Sequence, residues 1–315
     1  MSVPPVFHTA GTDKIGVMGP RAEALPLLVL HYDQAAQTAR CLASILQAGY
    51  APEQIYCLDN GSRTDPAEPL RRRYPRVQFR RIEKNRGFSG GVNEALRWAF
   101  DEGFSSAFFL SNDTVLHRDA PEKCRETAAT AGAGMVAPRV LSLKSPATTE
   151  SIGGGFDPAA AALRHHRAPG LPPLLGENDY VPGAAFWLSR DTFLSLNGMD
   201  ESYHTYWEDV DFSFRARRRG ILLARCYDAR VGHAIGKTCH KNPLYTAYYY
   251  QRNRIRFCEK FLTPKQRETA TTAIRDDLEK LARRWGQKND AERLNYLPAL
   301  RRELAGERSP APFLS

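Results

Sequence analysis

The sequence predicts an α/β fold, a mostly parallel sheet flanked by helices on both faces, with a helical appendage at the C-terminal end. Short apolar runs such as Leu25–Tyr32 (LPLLVLHY) lack the alternation of a half-exposed strand and suit strands buried on both sides. Between these runs lie segments with helical spacing, so that strand and helix alternate as β-α-β-α-β. Polar segments follow several of the strands, at the carboxyl ends where such sheets bind ligands.

The elements follow in order. After the first strand, residues 37–48 place Cys41, Leu42, Ile45 and Leu46 on one helical side, and Gly49 supplies the stop. Residues 54–58 form a second strand running into Asp59-Asn60-Gly61-Ser62, and residues 77–82 a third. A helix is expected over 91–100 and a fourth strand over 106–110. Residues 141–180, rich in Ala, Gly, Pro and Ser, read as a long loop with a hairpin around Gly153-Gly154-Gly155. A strand over 181–189, a short helix over 191–196 and a strand over 221–226 complete this part. From Thr263 the character changes. Thr263 caps, Pro264 suits the first helical turn, and Ile274, Leu278, Leu281 and Trp285 share one face. The expected organisation is a flexible leader over 1–22, a catalytic domain over 23–262 and a helical extension over 263–315.

Composition narrows the class. The chain has 315 residues, 42% hydrophobic and 25% charged, as a soluble globular protein with a real core would have. No apolar run reaches the ~18 residues of a membrane span. The first residues lack the basic start and apolar stretch of a secretory signal, so a cytoplasmic location is expected. Six scattered cysteines form no C-x-x-C pair, which argues for reduced thiols and against a structural zinc site. The formal charge of +9 suits nucleic acid, an anionic membrane surface or a phosphate-bearing substrate. Arg71-Arg72-Arg73 and Arg217-Arg218-Arg219 have no nucleic-acid motif beside them, so no nucleic-acid partner is expected. The glycine fingerprint of a dinucleotide oxidoreductase is missing as well.

Four segments carry chemistry. In GMDESYHTYWEDVDFSFRARRRG, Glu208, Asp209 and Asp211 crowd ahead of an apolar/basic helical pattern. Acids that close repel one another, and a chain keeps them to bind cations, to move protons or to begin a helix. Asp59 follows a strand, in a turn that Gly61 allows to be tight, and can accept the imide N–H of a uracil or thymine ring. Asn85-Arg86-Gly87-Phe88-Ser89-Gly90-Gly91 joins a strand to a helix. Its glycines let backbone approach a ligand, and a helix N-terminus favours phosphate. Ser111-Asn112-Asp113-Thr114 puts a carboxylate at a strand end, where it can hold a divalent cation against a pyrophosphate. His233 is either a structural histidine or a further nitrogen ligand.

Taken in order, these segments resemble the inverting nucleotide-sugar transferases of glycosyltransferase family two, with their Rossmann-like glycosyltransferase A fold, and within it the rhamnosyltransferase-like branch. LDNGS, NRGFSGGVNEAL, LSNDTVL, the stretch from VPGAAFW to WEDVDF, HAIGKT and YYYQRNRIRF match its motifs over roughly residues 25–257. The resemblance implies that Asp59 contacts the base and that His31, Tyr32 and Asp33 line the nucleoside pocket. Asn85, Arg86, Gly87, Gly90, Asn112, Asp113 and Gly183 would complete the nucleotide-sugar site. Asp113 and His233 would bind Mg²⁺ or Mn²⁺, Asp209 would be the general base, and Trp207, Glu208 and Asp211 would meet the acceptor. Ser111 stands where the metal-binding D-x-D has its first acid, a departure from the full pattern.

The implied reaction moves a sugar, rhamnose among the candidates, from a dTDP- or UDP-sugar to a hydroxyl acceptor. That acceptor is a glycan, a lipid-linked glycan or a small natural product. The net charge and the arginines of 248–256 suit peripheral association with the inner face of the plasma membrane, and the amphipathic terminal helix suits a homodimer.

Overall fold

The computed structural model describes residues 23–63, 67–234 and 243–308. The leader over 1–22, residues 235–238 of the HAIGKT segment, and Cys239 lie outside the described residues. The chain begins as β1 (Leu27–His31), α1 (Ala35–Gln47), β2 (Ile55–Asn60), α2 (Ala67–Arg73), β3 (Gln78–Ile82), α3 (Gly87–Asp101) and β4 (Ser106–Ser111). It continues as β5 (Thr114–Leu116), α4 (Ala120–Ala131), β6 (Ala133–Ser142), β7 (Thr149–Ser151), β8 (Gly154–Asp157), β9 (Ala162–His165), β10 (Asp179–Tyr180) and β11 (Ala185–Ser189). Then come α5 (Arg190–Leu196), α6 (Glu208–Arg218), β12 (Leu222–His233), α7 (Pro243–Phe261), α8 (Pro264–Gln287), α9 (Ala291–Leu294) and α10 (Leu297–Leu304).

Among the described residues the main sheet has nine strands in the order β3-β2-β1-β4-β11-β6-β12-β5, with β7 on β6. The pairs β1/β2, β1/β4, β2/β3 and β6/β12 are parallel, whereas β11 runs antiparallel to both β4 and β6. Strand alternation divides the core. Leu28 and Leu30 face a cluster completed by Val92, Leu96 and Phe100 of α3 and Phe212 of α6. Leu27 and Val29 face the opposite cluster, built with Cys41, Leu42 and Ile45 of α1 and Cys124 of α4. Both sheet faces are therefore dry, as the unbroken apolar run requires.

The structure departs from the sequence reading in several places, among them α2, β5, α4 and most of β6, which that reading did not include. Helix α3 begins at Gly87, four residues earlier than expected, because tertiary contacts described below hold its glycines in place. Residues 141–180 are more than a loop. They supply the end of β6, then β7, and a three-stranded sheet ordered β10-β8-β9, with the expected hairpin at Gly154–Asp157. Strand β12 runs seven residues past the expected end, to His233.

The C-terminal helices form as expected. Thr263 accepts the Gln266 N–H in a capping box, and Ile274, Leu278 and Trp285 are buried. These residues do not close a core of their own. Trp207 and Val210 of the α6 region, Tyr248 and Phe257 of α7, Ile274 and Leu278 of α8, and Leu300 of α10 share one cluster. The cysteines Cys41, Cys57, Cys124, Cys226 and Cys258 are buried free thiols. No helix among the described residues is long and apolar enough to cross a membrane. Arg71, Arg72 and Arg73 are exposed on α2, but Arg217 and Arg218 lie over the rings of Phe214 and Phe261 at 4.9 and 4.5 Å. The second arginine run is thus partly packing and does not form a free basic patch.

Asp211 ties α6 to α7. Its side chain is wholly buried, with Oδ2 2.5 Å from Arg215 Nε and Oδ1 2.6 Å from Lys260 Nζ. Removing one member of a buried ion cluster leaves its partners uncompensated. Asp211→Ala is expected to lower unfolding free energy by about 3 kcal/mol, measured as the shift of the urea midpoint at unchanged slope.

Candidate active site

The sheet brings the predicted metal ligands together through strand pairing. β4 ends at Ser111 and the link Asn112-Asp113 leads into β5, whose Thr114 lies opposite His233 at the end of β12. Asp113 is 4% exposed, its Oδ1 accepts the Ser111 hydroxyl at 2.5 Å, and the same oxygen lies 3.4 Å from His233 Nε2. Its backbone carbonyl accepts the Ala234 N–H at 3.0 Å, which fixes the two strand ends to each other. On the other side of the imidazole, Glu150 Oε2 of β7 lies 3.9 Å from Nδ1. Ser111 therefore supports Asp113 by hydrogen bonding from the place where the motif has its first acid. Among the described residues no three His, Cys, Asp or Glu side chains converge into a full metal cage. The pair Asp113 and His233 still fits a divalent cation of the kind held by one or two protein ligands and completed by substrate phosphates.

The same end of the sheet carries the predicted base. The Ser111 N–H donates to Ala184 O at 2.9 Å, and the next residue back, Gly183, donates its N–H to Asp209 Oδ2 at 2.8 Å. Asp209 Oδ1 accepts the Val210 N–H at 2.9 Å. Burial raises the Asp209 pKa to about 6, against the pull of the N–H bonds from Gly183 and Val210. Glu208 is 5% exposed, and its Oε2 has no hydrogen-bond partner. Burial first, and the Asp209 charge second, push its carboxyl well above the usual range.

The other acceptor residues take different places. Trp207 is 1% exposed, with its ring 5.2 Å from Phe257 and 5.7 Å from Tyr250. That indole belongs to the aromatic core and does not face a cleft, because the chain turns it inward at a left-handed residue of φ 73°. Asp211, wholly buried and ion-paired, holds α6 and is not open to an acceptor. Tyr180 and Tyr250, which the sequence reading did not single out, both feel the Asp209 charge, which adds to burial in raising their phenol pKa values.

The nucleoside-side residues form a linked frame. His31 is fully buried, with Nδ1 2.6 Å from Thr38 Oγ1, and Asn112 Nδ2 donates to that same hydroxyl at 3.2 Å. Asp33 donates its N–H to Ser62 Oγ at 3.0 Å and accepts the Arg63 N–H at 2.9 Å, while Tyr32 beside it is half-buried. Asp59 is 1% exposed, with Oδ1 accepting the Ser62 N–H at 2.8 Å and Oδ2 accepting Arg81 Nη1 at 3.0 Å. The turns after β1 and β2 are thus knitted together around Asp59. Arg81, missed in the sequence, lies opposite Asp59 in the parallel register of β2 and β3.

The glycine segment does a different job from the one expected. Asn85 Oδ1 accepts the Gly87 N–H at 2.8 Å, and His204 O accepts the Ser89 N–H at 3.2 Å. Arg86 turns to Glu201 at 2.8 Å and Glu94 at 3.3 Å. A Cβ on Gly87, at φ +73°, would sit 2.3 Å from His204 O, and one on Gly90 would sit 2.6 Å from Arg86 Cβ. These glycines admit the 204 loop and their own N-cap. Of the amides expected to face a phosphate, those of Gly87 and Ser89 bond to protein. Gly87→Ala meets both a left-handed backbone and a backbone clash. It should destabilise the fold by about 1–3 kcal/mol, seen as a lowered thermal midpoint.

Residues 27–152 match the family model described as Glycosyl transferase family 2. The low-salt glycan biosynthesis hexosyltransferase Agl10 of Haloferax volcanii is 25% identical over 180 residues, 54% of this chain and 56% of that protein. An uncharacterised Mycobacterium tuberculosis protein, Rv1525, is 28% identical over 173 residues, 53% of this chain and 62% of the relative. The chain thus spans little more than half the length of these two relatives. An N-acetylglucosaminyl-diphospho-decaprenol L-rhamnosyltransferase of M. tuberculosis is 25% identical over 243 residues, 70% of this chain and 79% of that enzyme. Among solved structures, GalNAc-T7 with UDP, GalNAc and Mn²⁺ superposes with a TM-score of 0.55 at 13% identity, covering 66% of this chain and 42% of that one. Residues 27–152 thus resemble a glycosyl transferase family 2 domain, and the sheet shares the glycosyltransferase A fold of the solved neighbour.

Proposed function

We propose that this chain is an inverting glycosyltransferase that moves a sugar from a dTDP- or UDP-sugar to a hydroxyl acceptor in glycan biosynthesis. The observation that carries the reading is a short chain of contacts: Asp113 to Ser111, Ser111 to Ala184, and Gly183 to Asp209. It gathers a cation-binding carboxylate and a desolvated carboxylate at one end of one sheet. The relatives named as a hexosyltransferase and a rhamnosyltransferase support the reaction class, and the name of the second supports a lipid-linked acceptor. The solved neighbour, which holds UDP and Mn²⁺, supports a nucleotide-sugar donor and a divalent metal.

In this reading Asp59, with His31, Tyr32 and Asp33, bounds the nucleoside. Mg²⁺ or Mn²⁺ held by Asp113 and His233 would neutralise the departing nucleoside diphosphate. Asp209 takes the proton of the acceptor hydroxyl as its oxygen attacks the face opposite the leaving group. Gly183 fixes the carboxylate's direction through its N–H, so that a lone pair of Asp209 is free for that proton. Glu208, whose carboxyl burial pushes well above the usual range, stands next to it in the sequence. The formal charge of +9 supports peripheral attachment to an anionic membrane carrying the acceptor.

Asp209→Asn should cut turnover by about 10²–10⁴-fold with donor affinity retained, as judged by calorimetry with UDP and dTDP. Full turnover in that variant would remove Asp209 as the base. Because the base acts deprotonated and its pKa is raised to about 6, kcat/KM should fall as pH drops below about 6 and level off above it. A hydrolysis screen of UDP-, dTDP- and GDP-sugars with Mn²⁺ or with EDTA tests donor and metal together. Equal rates in EDTA would exclude the metal.

A further inference from the structure

The backbone just ahead of the base is unusual. Between the single 3₁₀ turn at Glu201–Tyr203 and the start of α6 at Glu208, three non-glycine residues adopt positive φ: His204 at 63°, Tyr206 at 66° and Trp207 at 73°. Such a run persists only where the surroundings over-determine it.

Most of those surroundings come from α7. Asn253 is fully buried, and its Nδ2 lies 2.8 Å from Tyr203 O, 2.7 Å from Thr205 O and 2.8 Å from Tyr206 O. Its Oδ1 accepts Arg252 Nε at 2.9 Å, which orients the amide so that both N–H groups face the loop. Arg252 Nη2 adds bonds to Ser202 O at 2.8 Å and Tyr203 O at 2.9 Å, and its guanidinium lies 4.5 Å from the centre of the Tyr249 ring. On that ring, at 5.0 Å, stacks His204, and Tyr206 Oη lies 3.1 Å from Thr246 Oγ1. From the opposite side the Ser89 N–H of α3 holds His204 O. The neighbouring Arg254 is engaged elsewhere, on Ala160 O, Ala161 O and Asp277, so this clamp is specific to two consecutive residues.

We propose that Arg252 and Asn253 are positioning residues for Asp209: by holding the 203–207 loop in its left-handed course they set the direction in which α6 presents that carboxylate to Gly183. The inference rests on the reading of Asp209 as the base. Asp209 is the second residue of α6, so the loop sets its place directly. Loss of the Asn253 amide leaves the carbonyls of Thr205 and Tyr206 without that donor, and the loop relaxes toward ordinary φ. A displacement of about 1 Å at a reacting group costs on the order of 100-fold in rate.

The test is a double-mutant cycle with Asn253→Ala, Asp209→Asn and the combined variant, reading kcat and donor affinity, with hydrogen exchange of the 203–209 amides alongside. Asn253→Ala should lower kcat by roughly 10- to 100-fold, leave donor affinity unchanged, speed exchange in the loop, and add nothing further in the Asp209→Asn background. Wild-type kcat in Asn253→Ala overturns the proposal. So does an equal loss in both backgrounds, which marks a general structural role. Wild-type turnover in Asp209→Asn alone instead sinks the assignment of the base. If Asn253→Ala yields no folded protein, Arg252→Lys takes its place in the same cycle, since lysine keeps the charge but not the planar fork.

Discussion

The pairing of β4 with β11 is the constraint on which the site depends. The register sets Leu110 opposite Ala185 and Phe109 opposite Phe186, and these two rings stack at 5.0 Å in the core. Because β11 is antiparallel, its incoming segment, Val181–Ala184, arrives just where β4 delivers Ser111 and Asp113. A slip of one residue would turn Phe186 to the opposite sheet face, away from Phe109, and carry Gly183 away from Asp209. Apolar packing in the sheet interior thereby fixes a polar juxtaposition at its end.

Three acids that look alike in sequence have been given three different environments. Glu208 is desolvated beside another carboxylate, and both effects push its carboxyl well above the usual range. Asp209 is desolvated, which raises its pKa to about 6 against the pull of two backbone N–H bonds. Asp211, two residues further along the helix, is balanced by Arg215 and Lys260 and serves the fold. Proximity along the chain identified the cluster. Only the packing of β11, α7 and the helix itself assigned the members.

Much of the architecture was legible because it rests on local signals. β1, β2 and β4 are apolar runs, and α8 carries its own cap and a clean apolar face. β6 was less readable, since Ala, Gly and Pro138 dilute its strand character and its partners β11 and β12 come much later in the chain. The early start of α3 was hidden for a related reason. Glycine is a poor helix former, and what requires it at Gly87 is His204, remote in sequence. The Asn-Asp-Thr and Glu-Asp segments could be read directly. The contacts of Arg81 with Asp59 and of Glu150 with His233 could not, because they follow from sheet order and no local pattern encodes sheet order.

The aromatic cluster that joins Trp207 and Val210 to Phe257, Ile274, Leu278 and Leu300 has a consequence for how such chains diversify. The tail helices floor the very loop that leads into Asp209, so no clean seam separates the candidate site from the appendage. Swapping in the tail of a relative would require matched ring volumes on both sides of the junction. Variation in what the chain docks against should therefore accumulate on the outer faces of these helices, while their inner faces drift only in concert with α6.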